Sequence, residues 1–223
     1  MKIVSSKIEN VLPKSHIKIL NAAVELSQDI NTDLYLVGGC VRDIMLGVSE
    51  GDFDIDLAGS DIDRDFADRL ADKLKGKVKS SSLFGTHKLS VPVGYQTNIE
   101  IDLALCRSET YKTPGSLPDV VPGDLFQDLL RRDFSVSAMC IVLRSPEDQD
   151  WLWGQLIDPH SGYKDLKNEE LRILHKNSFV DDPTRMFRLL RYSGRLGFAI
   201  EEETKKLFES SMNWVSVISG ERI

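Results

Sequence analysis

Cysteine is scarce: the 223 residues hold three, Cys40, Cys106 and Cys140, an odd number, each set among Val, Ile, Leu or Met. That usage argues against a disulfide framework and against zinc, and leaves three small hydrophobes. No run of about 18 apolar residues occurs, so neither a membrane span nor a membrane partner is expected. The opening MKIVSSKIENVLPKSHIKIL is too interrupted by Lys, Glu and Pro to form the apolar core of a signal peptide, which makes the cytoplasm the expected compartment. The glycine fingerprint of a dinucleotide fold and the Walker phosphate loop are both missing. Basic charge is also in short supply, with 28 Lys and Arg against 35 Asp and Glu and a formal net charge of -7. A surface coated in nucleic acid is disfavoured, but a local cluster of arginines is not. Repeats and low-complexity tracts are absent.

What is present is ordinary globular composition, 41% apolar and 28% charged, enough for one or two domains. Apolar spacing predicts a helix over 14–29. DLYLV reads as a buried strand ending at Gly38 and Gly39, followed by a short helix capped by Gly47. A strand carrying aspartates comes next, then a helix over 65–75 closed by Gly76, then the strands KVKSS, HKLSVPV and NIEIDLAL of a mixed sheet. YKTPGSLPDVVPGD reads as a long irregular loop. From Leu125 onward the pattern is mostly helical, interrupted by strands at MCIVL and GQLID. The polar RSPEDQD suggests a seam, dividing an α/β unit over 1–150 from a helical unit over 151–223.

The run GDFDID places Asp52, Asp54 and Asp56 on one face of a strand, about 6 to 7 Å apart, with Phe53, Ile55 and Leu57 on the other. Like charges on a partly buried element require a cation among them, from Lys, Arg or a divalent metal. Spacing alone fits a solvated strand face and a metal site equally. A calcium loop is excluded, because its sixth position needs Gly and this chain has Leu57. Gly38 and Gly39, between a strand and a helix, bring bare backbone N–H groups and a helix N-terminus together, with Arg42 in the first turn. A phosphate cradle beside paired carboxylates suggests a triphosphate held through magnesium. Glu100 and Asp102 share a face of a later strand and could add a third acid. His87 reads as a structural histidine.

The segments LVGGCVRDIMLG, DFD, LLRRDFSVSAM and DDPTRMFRLLRYSGRLGF, in that order and spacing over about 34–205, resemble the class II tRNA nucleotidyltransferase and bacterial poly(A) polymerase family. The resemblance implies an α+β polymerase beta-like nucleotidyltransferase head, with a mixed sheet and flanking helices, followed by part of a helical neck. It implies Asp52 and Asp54 as ligands of two Mg2+ ions, with Asp102 rather than Glu100 as the third catalytic acid and Asp56 as a neighbour. It assigns Gly38, Gly39, Arg42, Arg132 and Asp133 to the nucleotide. In the helix expected after Asp182-Pro183, Arg185, Arg188, Arg191 and Arg195 are spaced 3, 3 and 4, a stripe that is commonly just a solvated basic face. The resemblance instead makes Asp182 and Arg185 readers of the base edge of C or A, supported by Arg188 and Arg191.

The implied activity is addition of C, A or both from CTP and ATP to a tRNA 3′ end, with pyrophosphate released. Poly(A) polymerase and an inactive nucleotide- or RNA-binding fragment are the alternatives. Two positions depart from the family pattern, Asp181 for Glu and Ser137 for Asn. The family continues through a body and tail that grip tRNA, so a further C-terminal portion, as part of a longer chain or as a separate polypeptide, is an expected partner.

Overall fold

The computed structural model describes residues 2–48, 53–82, 84–94, 97–144 and 153–218. Strand β1 (Lys2–Ile3) and helix α1 (Ser5–Val11) lead into α2 (Lys14–Asp29), whose Ile19, Leu20, Ala23 and Leu26 form the buried stripe. Strand β2 (Leu34–Val37) passes without a break into α3 (Gly38–Leu46), which ends at Gly47 with φ +73°. There follow β3 (Ile55–Gly59), α4 (Arg64–Lys73), β4 (Lys77–Ser81), β5 (Thr86–Gly94) and β6 (Thr97–Leu105). Helix α4 starts where it does because Asp63 caps it, accepting from the Phe66 N–H. The chain continues through β7 (Arg107–Thr110), β8 (Asp119–Pro122), α5 (Leu125–Leu130), a 3-10 turn at Ser135–Ser137, β9 (Cys140–Arg144) and β10 (Gln155–Ile157). Last come α6 (Gly162–Asn168), β11 (Glu170–Leu171), α7 (Ser178–Asp181), α8 (Thr184–Leu196), β12 (Ala199–Ile200), α9 (Glu202–Ser210) and a 3-10 turn at Met212–Val217.

Eight strands form one mixed sheet in the order β1-β10-β9-β2-β3-β6-β5-β4, with β3 and β6 as its parallel pair. Alternation along the strands decides what each face carries. Leu34, Leu36, Ile55, Leu57, Leu89, Ile101, Leu103 and Ile141 point into a core shared with α2 and α4. Tyr35, Val37, Ala58, Cys140 and Val142 point the other way and pack on Leu125 and Leu129 of α5. All three cysteines are free and buried, as expected of small hydrophobes; burial pushes the Cys40 thiol up to about 12 and those of Cys106 and Cys140 higher. Among the described residues no helix is long and apolar enough to cross a membrane.

Four sequence expectations need adjustment. The aspartate strand begins at Ile55, so Asp54 precedes it, and Asp52 lies outside the described residues. The proline-rich loop is not irregular throughout, because Asp119–Pro122 pairs antiparallel with Arg107–Thr110. β10 lies past the seam expected at 150/151, yet it hydrogen-bonds to β9 and carries β1 on its other edge, so the sheet closes with strands from both sides of that seam. Finally, the helical pattern expected from Leu125 onward does not run through Arg132-Asp133: Arg131 is the C-cap of α5, and a single 3-10 turn follows.

Candidate active site

The parallel register of β3 and β6 sets Asp56 beside Asp102, on the sheet face opposite the buried Ile55–Ile101 and Leu57–Leu103 pairs. Burial, then the charge of Asp102, pushes the Asp56 carboxyl up to about 6. Asp54 is exposed just ahead of the strand. His16 on α2 steers that approach, its Nε2 donating to the Phe53 carbonyl at 3.1 Å with the two rings edge to face. One strand further out, Lys88 of β5 is registered with Asp102 and donates from Nζ to Oδ2 at 2.8 Å. Glu100 is drawn to Lys79 and to the Ser90 hydroxyl, each 2.8 Å away, which holds its carboxyl below the usual range. Asp54, Asp56, Lys88, Glu100 and Asp102 together line a hollow of about 250 Å3.

This donor set suits a hard divalent cation. It consists of carboxylate oxygens, and both the burial of Asp56 and the charge of Asp102 beside it, which together raise its carboxyl, disfavour bare negative charge that such an ion would offset. Among the described residues no group of three or more Asp, Glu, His or Cys side chains is arranged to hold a metal ion. Magnesium does not demand one, since it is commonly held by one or two carboxylates together with substrate phosphates.

Beside the acid face a larger cleft of about 390 Å3 runs between the sheet and the helical segment. It is lined by Gly38, Gly39 and Asp56, by Arg131, Arg132, Asp133 and Ser137, and by Asp182, Arg185, Arg188 and Tyr192 from the helical segment. Gly38 has φ +75°, and a Cβ there would lie 2.5 Å from Oδ2 of Asp56, so the backbone approaches this carboxylate only because the residue is glycine.

The arginines are fixed by buried acids. Asp128, fully buried in α5, accepts from Arg131 at 2.6 and 3.0 Å and from Arg132 at 2.8 Å, and the two guanidinium charges keep its carboxyl below the usual range despite burial. Glu109 collects Arg107 at 2.9 Å, Arg131 at 3.3 Å and the Tyr111 hydroxyl at 3.0 Å. Arg185, 2% exposed, donates to the Arg131 carbonyl at 2.6 Å and reaches Asp133, which Arg188 also grips. Burial raises the Asp133 carboxyl in spite of both arginines. Asp182 accepts from the backbone N–H and the hydroxyl of Thr184, at 3.1 and 2.7 Å, fixing the entry to α8.

Five buried side-chain polar atoms among the described residues have no hydrogen-bond partner: Nε of Arg132, Arg185 and Arg188, and Oγ of Ser137 and Ser178. The first four belong to residues that line the one cleft. Nε of Arg185 still lies 3.4 Å from Oδ1 of Asp133 as an ion pair, so what the cleft offers a ligand is the positive charge of Arg132, Arg185 and Arg188 in its lining, which suits an anion or an acceptor-rich ring.

Of the residues singled out from the sequence, Gly38, Gly39, Arg132, Asp133, Asp182, Arg185 and Arg188 therefore meet in one cleft, while Asp54 and Asp102 line the adjoining hollow. Arg42 does not open onto the cleft. It is 2% exposed, makes a two-point pair with Asp43 at 2.8 and 3.0 Å, and lies 5.6 Å from the Tyr192 ring, tying α3 to α8. Arg191 is exposed outside the cleft lining. Sequence reasoning missed Asp128, Glu109, Tyr192 and Lys88. The i,i+4 spacing of Asp128 to Arg132 carried a signal for the first; nothing local pointed to Lys88.

A mixed sheet with carboxylates at a parallel strand pair, flanked by a glycine turn and arginines from a following helical segment, defines a nucleotidyltransferase head of the polymerase beta-like kind. The chain belongs to the poly A polymerase head domain family, whose model matches residues 34–172. It is 36% identical over 214 residues to an A-adding tRNA nucleotidyltransferase of Geobacter sulfurreducens, covering 95% of this chain and 23% of that protein. A second A-adding enzyme, from Halalkalibacterium halodurans, is 36% identical over 97% of this chain and 49% of its own length. A CC-adding tRNA nucleotidyltransferase of Deinococcus radiodurans is 37% identical over 74% and 41%. Among solved structures, a CCA-adding enzyme in an apo form superposes with a TM-score of 0.85 at 35% identity, over all of this chain and 51% of that one. A tRNA nucleotidyltransferase complexed with a primer tRNA and an incoming ATP analog superposes at 0.73 and 33% identity, over 90% and 53%. The chain spans about half or less of the length of these relatives.

Proposed function

We propose that this chain is the nucleotidyl-transferring part of a cytoplasmic tRNA 3′-end nucleotidyltransferase that uses ATP or CTP and releases pyrophosphate. The observation that carries the reading is the meeting of Arg132, Arg185 and Arg188 with the Gly38–Gly39 turn around one cleft that adjoins a carboxylate hollow, Asp56 lining both. A nucleoside triphosphate is the ligand chemistry that answers both halves: phosphates for the arginines and glycine turn, and a cation-bridged reacting end for the acids.

Gly38 and Gly39 would let the triphosphate approach the backbone, and Arg132, held by Asp128 with its guanidinium beside Gly38, would meet it there. Asp182 and Arg185, fixed by Thr184 and by the Arg131 carbonyl, would present an acceptor and a donor to the base edge, the order that matches C or A and opposes G or U. Asp133 would keep Arg185 and Arg188 oriented. Asp54, with Asp52 and Asp102, would hold Mg2+, which on binding activates the primer hydroxyl and neutralises the departing pyrophosphate. Addition of A is the favoured specificity, since A-adding enzymes are the relatives matched over 95% and 97% of the chain at 36% identity.

The deciding experiment offers labelled ATP or CTP, with Mg2+, to tRNAs ending at the discriminator base, after one C and after two. Incorporation of A onto the tRNA ending in two C residues is the expected result. Incorporation of C alone would move the chain to the CC-adding type, A added without preference for tRNA would make it a poly(A) polymerase, and no binding of either triphosphate would end the nucleotidyltransferase reading.

A further inference from the structure

Three adjacent strands place Lys88, Asp102 and Asp56 in one row across the exposed face of the sheet, Lys88 registered with Asp102 and Asp102 with Asp56. Lys88 lines the hollow with Asp54, Asp56, Glu100 and Asp102, and its ammonium is 2.8 Å from Oδ2 of Asp102. Lys79 is the other lysine nearby, but it is engaged on Glu100 and does not line the hollow. An ammonium is a compact point charge on a flexible stem, and the Lys88 side chain is 57% exposed, so it can leave without opening the core. A divalent cation entering the hollow would meet this positive charge at close range and would compete with it for the same carboxylate oxygen.

We infer that Lys88 is the resident counter-ion of the acid face, surrendering Asp102 when a divalent cation binds and thereby setting the cation affinity of the site. This rests on the reading of the acid face as a cation site. The lysine offsets the charge of Asp102 between turnovers and holds cation affinity low enough for ions to leave with the product.

Mn2+ alone, without nucleotide, is the probe, titrated into the 223-residue chain and followed by the electron paramagnetic resonance signal of the free ion. Lys88→Met keeps the aliphatic stem and removes the charge, and it should bind Mn2+ roughly three- to tenfold more tightly than the wild type. Lys88→Arg keeps the charge and should stay near the wild-type affinity. Unchanged or weaker binding by Lys88→Met, or equal tightening by Lys88→Arg, overturns the inference while leaving the cation site in place. Failure of both the wild type and Lys88→Met to bind Mn2+ overturns the inference and the reading of the acid face together.

Discussion

The acid face and the arginine cleft lie side by side yet are built in opposite ways. On the acid face, backbone register alone brings Asp56 and Asp102 together, and Lys88, the ionic partner of Asp102, is a half-exposed side chain on a neighbouring strand. In the cleft, almost every charge is fixed by another buried charge: Asp128 holds two arginines, Glu109 two more contacts of the same kind, and Asp133 joins Arg185 to Arg188. The difference teaches where rigidity is needed. Carboxylates that are to accept a mobile cation gain from staying loosely neutralised, whereas donors that must match the edge of a base have to be held in place before the ligand arrives.

That contrast can be broken at each side. The largest effect is expected at Asp54→Ala, where loss of a cation ligand should reduce nucleotide transfer by roughly a thousandfold or more, several kcal/mol of transition-state stabilisation. Because Asp54 is exposed, the melting temperature should not fall; near-normal turnover by the folded variant would remove Asp54 from the site. Asp128→Ala should behave in the reverse sense, destabilising the fold itself by about 3 kcal/mol, since Arg132 loses its carboxylate partner and Arg131 keeps only the longer contact to Glu109. Urea unfolding measures this, and a loss below 1 kcal/mol, the range of a surface pair, would show that the cleft is not built on buried charge.

The smallest effect sharpens the boundary between the two regions. Burial holds the His16 imidazole below its ordinary 6.5, with the hydrogen bond to the Phe53 carbonyl opposing the shift. The unfolded chain therefore takes up this proton first as pH falls, so the contribution of His16 is fully present above about pH 6.5 and declines below it. Stability at pH 5.5 should be lower than at pH 7.5, with His16 contributing part of the loss. His16→Gln should flatten that part of the profile in thermal melts; an unchanged slope would mean that another histidine carries it.

Much of this molecule was legible before its structure. The helix over 14–29 occurs at those bounds, Gly47 caps the helix that follows the glycine pair, and KVKSS is a strand from its first residue to its last. Period, caps and turn residues are local properties, written in neighbouring side chains. The match of four spaced segments to one family was equally legible, and the family model and the solved relatives bear it out. The pairing of Asp119–Pro122 with Arg107–Thr110 was not, because prolines mark a loop while an edge strand tolerates them.

The sequence by itself determined the class of fold, the order of its elements and a short roster of acids and arginines. Only the tertiary structure decided which of these face one another. It put Asp56 against Asp102, turned Arg42 inward onto Asp43 and Tyr192, brought Lys88 to the acids and made Asp128 the anchor of Arg131 and Arg132. The reason is physical: a side chain's intrinsic preferences act over one or two turns of chain, but its ionic partner depends on strand order and on what is buried beside it, and both are set by the packing of the whole.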